Sequence, residues 1–140
     1  MHMKQFFATA AVLSGVMLMQ PMALQAQGAA SPIKIQFAKG ASSKVIKASI
    51  RGDQSKLYTI NVRAGQKMTV KLVTNNRSSY FNITAPGAEQ ALFIGSSEGN
   101  SYSGIVPSSG DYQIDVYLMR NAARRNETAN YTLTVGATGR

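Results

Sequence analysis

Apolar and polar residues alternate along most of the chain after residue 31, in short runs separated by turn residues. This period-two alternation is typical of strands with one buried face, and no run there shows the 3.6-residue period of an amphipathic helix. We therefore predict an all-β antiparallel β-sandwich of about eight strands, at roughly ten-residue spacing. The predicted inward positions are Ile33, Ile35, Phe37, Ile46, Ala48, Ile50, Tyr58, Ile60, Val62, Met68, Val70, Leu72, Phe81, Ile83, Tyr112, Ile114, Val116, Leu118, Tyr131, Leu133 and Val135. The apolar runs at residues 91–94 and 102–106 add two short strands, although residues 91–94 also suit an exposed dimer contact.

The N-terminal segment is typical of a secretory signal peptide. Lys4 precedes an uncharged apolar run from Phe6 to Met19, and small residues follow the break at Pro21. The run is shorter than the ~18–20 apolar residues that span a bilayer. We predict a signal peptide helix at residues 1–26, cleavage between 26 and 28, and one domain at 27–140. The mature protein is then periplasmic, with no stable insertion in the membrane.

The positive charge narrows the range of partners. The chain has a formal net charge of +9, and removal of Lys4 with the signal segment lowers it to +8. Most of the lysines are scattered over the first four predicted strands, where a solvated outer face and protection of sheet edges explain them. Nucleic-acid binding is not expected, because aromatic side chains do not interleave with the basic ones.

The residue types that carry most catalysis and metal binding are missing from the mature sequence. The only histidine is His2, and there is no cysteine. Asp111 and Asp115 share one face of a strand, but their separation of ~13 Å is too wide for a glycosidase pair. Asp53 and Glu98 each supply one carboxylate to a turn, which is fewer than calcium sites use. We predict a protein that is not an enzyme and that uses no cofactor and no metal.

The connection at residues 120–131 is the most unusual segment. It joins two alternating runs, so we predict a hairpin loop of about ten residues, longer than most. Three arginines lie on it, and such loops are frequent binding sites. Arginine presents a rigid fork that suits carboxylates. The alternative is structural: Arg120 could brace the loop by pairing with Glu127 or by bonding loop carbonyls.

This segment resembles the periplasmic inhibitors of g-type lysozyme, which share its Arg-Asn-x-Ala-Arg-basic-Asn-x-Thr-x-x-Tyr pattern. The resemblance also covers residues 39–43, 58–59, 64–67 and 107–112. The Gly-Gln and Ser-Gly-x-Tyr turns within these segments recur in the wider class of pre-peptidase C-terminal-like sandwich domains. Residues 75–105 depart from the inhibitor pattern and look like a related, distinct branch. The residues that match the loop pattern are Arg120, Asn121, Ala123, Arg124, Arg125, Asn126, Thr128 and Tyr131.

The resemblance implies a periplasmic protein that inserts its basic loop into the cleft of a g-type lysozyme. The expected partner-binding residues are Arg120, Asn121, Arg124, Arg125, Asn126, Tyr58 and Tyr102, the tyrosines as aromatic anchors on the same rim. Peptidoglycan is left open as a further partner. The alternative function is a non-catalytic periplasmic module that binds peptidoglycan, a glycan or an envelope protein without inhibiting any enzyme.

Overall fold

A computed structural model describes residues 31–139 of the protein, and the predicted signal peptide lies outside these residues. Nine strands and two short helices make up the described part, which confirms the all-β prediction. In chain order the elements are β1 (Ile33–Lys34), β2 (Ser43–Arg51), β3 (Lys56–Val62), β4 (Lys67–Thr74), β5 (Ser79–Thr84), β6 (Phe93–Ile94), α1 (Gly95–Glu98), β7 (Ser101–Ile105), β8 (Gly110–Leu118), α2 (Arg120–Arg124) and β9 (Thr128–Thr138). No helix between residues 31 and 139 is long and apolar enough to cross a membrane.

The strands form two sheets. The four-stranded sheet has the order β2-β9-β4-β7, and the five-stranded sheet has the order β1-β3-β8-β5-β6. All neighbouring strands are antiparallel except β1 and β3, which pair in parallel over two residues. Each sheet turns one apolar face inward, and the two inner faces enclose the core.

The core consists of the residues that alternation predicted on the long strands. Phe81, Ile114 and Leu133 are fully buried, and most of the other predicted inward positions are buried, whereas Phe37, Ile46 and Ala48 are half-buried. Two buried tyrosines bridge the sheets, since the hydroxyl groups of Tyr58 and Tyr131 lie 2.7 Å apart. Burial, together with that hydrogen bond, raises the pKa of Tyr131 well above its usual range. Ile33 was predicted wrongly as inward: it is 45% exposed, because β1 is a two-residue strand at a sheet edge.

The apolar run at residues 91–94 is a sheet edge rather than a full core strand. Only Phe93 is buried, stacked on Phe81 with ring centroids 5.2 Å apart, whereas Leu92 and Ile94 are each 41% exposed.

The connection between β8 and β9 is not a hairpin, and the prediction of one was wrong. β8 belongs to the five-stranded sheet and β9 to the four-stranded sheet, so residues 119–127 cross from one sheet to the other. We call residues 119–127 the crossover. Period-two alternation identifies a strand but not the sheet to which it belongs. A hairpin within one sheet and a connection between two sheets therefore have the same sequence pattern. The last four residues of the predicted loop also belong to β9.

Candidate functional site

The crossover is anchored in the core by small apolar side chains. Ala122 of α2 is fully buried, as is Ala129 just inside β9. A backbone hydrogen bond also holds the first residue of the crossover, because Met119 N donates to Ser78 O, in the turn between β4 and β5, at 2.8 Å. A helix of five residues is too short to be stable alone, so this docking holds it in place.

The crossover reverses direction at Asn126. This residue has a φ of 60°, a left-handed conformation that asparagine tolerates better than most residues. The reversal lets Asn126 N donate to Ala123 O at 2.9 Å and Glu127 N to Ala122 O at 3.1 Å. These bonds satisfy carbonyl groups at the end of α2 that would otherwise lack partners.

A second set of contacts ties the crossover to the turn between β2 and β3. Gly52 N donates to Glu127 O at 2.9 Å. With its amide oriented so that the oxygen faces Arg51, Asn126 accepts hydrogen bonds from Arg51 Nη2 at 3.1 Å and Nε at 3.2 Å. Gly52 is required here, because its φ is 63° and a Cβ would lie 2.6 Å from the end of the Asn126 side chain.

Glu127 closes the crossover through its carboxylate. Oε1 accepts from Asn76 Nδ2 at 3.0 Å, and Oε2 accepts from Arg125 Nε at 2.8 Å. The hydrogen bond from Asn76, followed by that from Arg125, lowers the pKa of Glu127 below its usual value. The bracing ion pair therefore involves Arg125, and the alternative that assigned this role to Arg120 was wrong.

Arg120 and Arg124 present their side chains to solvent, as does Asn121. Neither arginine forms an ion pair within residues 31–139, where the Arg125–Glu127 contact is the salt bridge observed. Arg120 lines two depressions. One, of about 350 Å³, is lined by Asp53, Arg120, Ala123, Arg124 and Asn126. The other, of about 440 Å³, is lined by Asp53, Gln54, Tyr117, Leu118, Met119, Arg120 and Ala123.

Several residues of this surface were missed at the sequence level. Met119 is 40% exposed beside Arg120 and gives the surface an apolar part. The register of β8 could have identified it, since Leu118 points inward and the next residue must point outward. Asp53 comes from the turn between β2 and β3, and only the packing of the two sheets brings it to Arg120.

The two tyrosines that the resemblance suggested as anchors do not lie on this surface. Tyr58 is 1% exposed because its ring fills the core between the sheets. Tyr102 turns inward from the middle of β7 and packs edge-on against Phe93, with centroids 5.3 Å apart. Burial raises the pKa of Tyr102. The prediction for Tyr58 is wrong, because its side chain is used for packing, whereas Tyr102 is half-buried and packs on the core side of its strand.

The carboxylates of β8 have local structural partners. Asp111 Oδ1 accepts from Asn61 Nδ2 at 2.9 Å. Burial raises the pKa of Asp115, and a hydrogen bond with the Ser55 side chain partly opposes that rise. Within residues 31–139 no three His, Cys, Asp or Glu side chains group closely enough to hold a metal ion.

Comparison with known proteins finds that this chain is similar to several inhibitors of g-type lysozyme. A periplasmic inhibitor of g-type lysozyme from Aeromonas hydrophila is 38% identical; the match covers 77% of this chain and 96% of that one, with a TM-score of 0.69. A mutant of the Escherichia coli inhibitor is 28% identical over 76% of this chain and 97% of that one, with a TM-score of 0.60. The natural inhibitor of g-type lysozyme from Escherichia coli K12 is 27% identical over 127 residues, 89% of this chain and 94% of that protein.

A more distant structure shares the fold alone. The pre-peptidase C-terminal domain of a Bacillus anthracis collagenase is 18% identical over 77% of this chain and 95% of that one, with a TM-score of 0.53. The chain matches no family model.

Proposed function

The chain belongs to the family of periplasmic inhibitors of g-type lysozyme, and from this premise we propose that it inhibits a g-type lysozyme by inserting the crossover into the muramidase cleft. The family is named for inhibition, which agrees with the prediction of a protein that is not an enzyme. The periplasm is the location that the relatives' names give. The observation that carries the proposed mode is the exposure of Arg120 and Arg124, without carboxylate partners in residues 31–139, on a segment that hydrogen bonds hold fixed.

The chemistry of the target supports this mode of binding. A glycosidase carries carboxyl groups in its substrate groove. The guanidinium of Arg120 or Arg124 can pair with such a group through charge-assisted hydrogen bonds, which strengthen as water leaves the contact. Asn121 is free to bond where sugar amides otherwise bind. Asn126 instead keeps the crossover in shape through Arg51.

The rigidity of the crossover favours tight binding. A loop that is already fixed in its bound shape loses little conformational entropy on association. The bonds to Gly52, Asn76 and Ser78 come from two neighbouring turns, and they fix the crossover at both ends. Arg125 contributes to this fixation through Glu127, so we assign it a positioning role.

The test is lysis of a cell-wall suspension by g-, c- and i-type lysozymes, with and without the purified mature protein. We expect stoichiometric protection against the g-type enzyme alone. Arg120→Ala and Arg124→Ala should each weaken inhibition by about 30-fold or more, the loss of a central arginine anchor. Circular dichroism and thermal melting should remain unchanged.

Lys39→Ala is the matched control, because it removes one exposed cation from the turn before β2, at the end of that strand away from the crossover. Equal losses of inhibition in all three variants would point to diffuse charge and contradict insertion. Protection against none of the enzymes would support the alternative, a binding module without inhibitory activity.

A further inference from the structure

The two sheets differ sharply in charge. The strands of the four-stranded sheet carry five cationic side chains and no Asp or Glu. The strands of the five-stranded sheet carry two lysines, Lys34 and Lys56, balanced by Asp111 and Asp115. Both sheets face solvent on one side, so solubility alone does not require an excess confined to one of them.

Four of the five cations share the outer face of the four-stranded sheet. Lys47 lies opposite Thr132, which lies opposite Val73, and in the adjacent row Val45, Thr134 and Lys71 align in the same way. Lys47 and Lys71 are therefore about 12 Å apart, two strands and two residues from each other. Arg51 and Lys67 extend the set at opposite ends, roughly 30 Å apart along the strands.

A shallow groove of about 650 Å³ runs over the same face. The outward-pointing side chains that line it provide an ammonium group, hydroxyl groups, amide groups and one aliphatic group. None of them is a carboxylate. These lining residues are Lys47, Ser49, Val73, Asn75, Asn130 and Thr132. The face therefore offers hydrogen bonds to a polar chain and carries no charge that would repel an anionic one.

The lysines of this face have no carboxylate partners. Within the described residues, Lys47, Lys67 and Lys71 form no ion pair. Unpaired like charges on a rigid surface add their fields, so the face attracts polyanions over a distance set by the ionic strength.

We propose that the outer face of the four-stranded sheet is a second binding surface, which takes up an extended carboxylate-bearing glycan, the peptidoglycan of the cell wall. An open groove fits one extended polymer chain, and its hydroxyl and amide groups match sugar hydroxyls and peptide amides. The choice of polymer rests on the proposed periplasmic function, but the groove shares no lining residue with the two depressions at Arg120. Binding here would hold the inhibitor beside the polymer that a lysozyme attacks.

The test is co-sedimentation of the mature protein with purified insoluble peptidoglycan at low ionic strength, about 0.01 M, where charge attraction is weakly screened. Lys47→Gln combined with Lys71→Gln should weaken pelleting by about 30-fold, the loss expected for two lysines at an anionic surface. Lys34→Gln combined with Lys56→Gln removes the same charge from the five-stranded sheet and should change pelleting by less than about twofold. Peptidoglycan whose carboxylates have been amidated should retain little protein.

Arg120→Ala separates this proposal from the preceding one, because it should lose inhibition yet pellet like the natural protein. Equal losses for both lysine pairs would overturn the proposal in favour of unspecific charge. Pelleting that amidation leaves unchanged would also overturn it. Binding to phosphatidylglycerol vesicles but not to peptidoglycan would assign the face to a membrane surface instead.

Discussion

The crossover and the outer face of the four-stranded sheet are both cationic, but they hold their charges in different ways. On the crossover, arginines extend from a backbone that hydrogen bonds fix to two neighbouring turns. On the sheet, lysines extend from a regular ladder and have no carboxylate partner within residues 31–139. A fixed guanidinium recognises a carboxylate with directional bonds, whereas a set of flexible ammonium groups acts through the sum of its charges. The same sign of charge therefore supports a specific contact in one region and a diffuse one in the other.

Disrupting the packing of the crossover against the core should have the largest effect on the stability of the protein. Ala122→Asp places an unpaired carboxylate at a fully buried position of α2. We expect a loss of about 3 kcal/mol or more in the free energy of unfolding, measured by urea denaturation. If α2 undocks instead, the fold should persist while inhibition of lysozyme is lost.

Asn121→Asp is the control for that variant, since it adds the same charge to the same helix at an exposed position. Its stability should stay within about 0.5 kcal/mol of the natural protein. Equal destabilisation by both substitutions would mean that charge rather than burial explains the result, and that the docking of Ala122 matters little.

A smaller effect is expected at Asn126, where the backbone and the side chain can be separated. Asn126→Ala loses the contact with Arg51 and places a less tolerant residue at a φ of 60°. We expect a destabilisation of about 1–2 kcal/mol. Asn126→Gly loses the same contact but accepts the φ, so it should cost less. Thermal melting of the two variants tests this order, and a more stable Ala variant would contradict it.

The smallest effect should be present at neutral pH and disappear in acid. The pKa of Glu127 is lowered in the folded protein, so its ionised carboxylate stabilises the fold at any pH above the ordinary glutamate pKa of 4.5. This contribution is lost as the pH falls through the lowered pKa. The melting temperatures of the natural protein and of Glu127→Gln should therefore differ at neutral pH and converge below 4.5. Glu89→Gln, at an exposed turn position, serves as the control. A Glu127→Gln difference that persists unchanged in acid would contradict the proposed role of the carboxylate.

Much of the strand content could be predicted from alternation, because burial on one face imposes a period of two on any half-buried strand. The inward sets on β3, β4, β5, β8 and β9 are buried as expected. Errors occurred where that constraint is weak, as at Ile33 in a two-residue edge strand. The candidate site was likewise predicted only in part. Arg120, Asn121 and Arg124 were identified from the sequence as exposed loop residues, whereas Asp53 and Met119 were not identified as part of the site.

The sequence by itself determined the sandwich class, the apolar core positions and the basic segment after β8, since these follow from local alternation and residue chemistry. Only the tertiary structure decided that this segment crosses between sheets, that Arg125 rather than Arg120 pairs with Glu127, and that Tyr58 and Tyr102 turn toward the core. It also gathered the cations of β2 and β4 on one face, with β9 between them. The physical reason is that alternation fixes which side of a strand is buried, while the pairing of strands, which involves residues far apart in the chain, decides which side chains become neighbours.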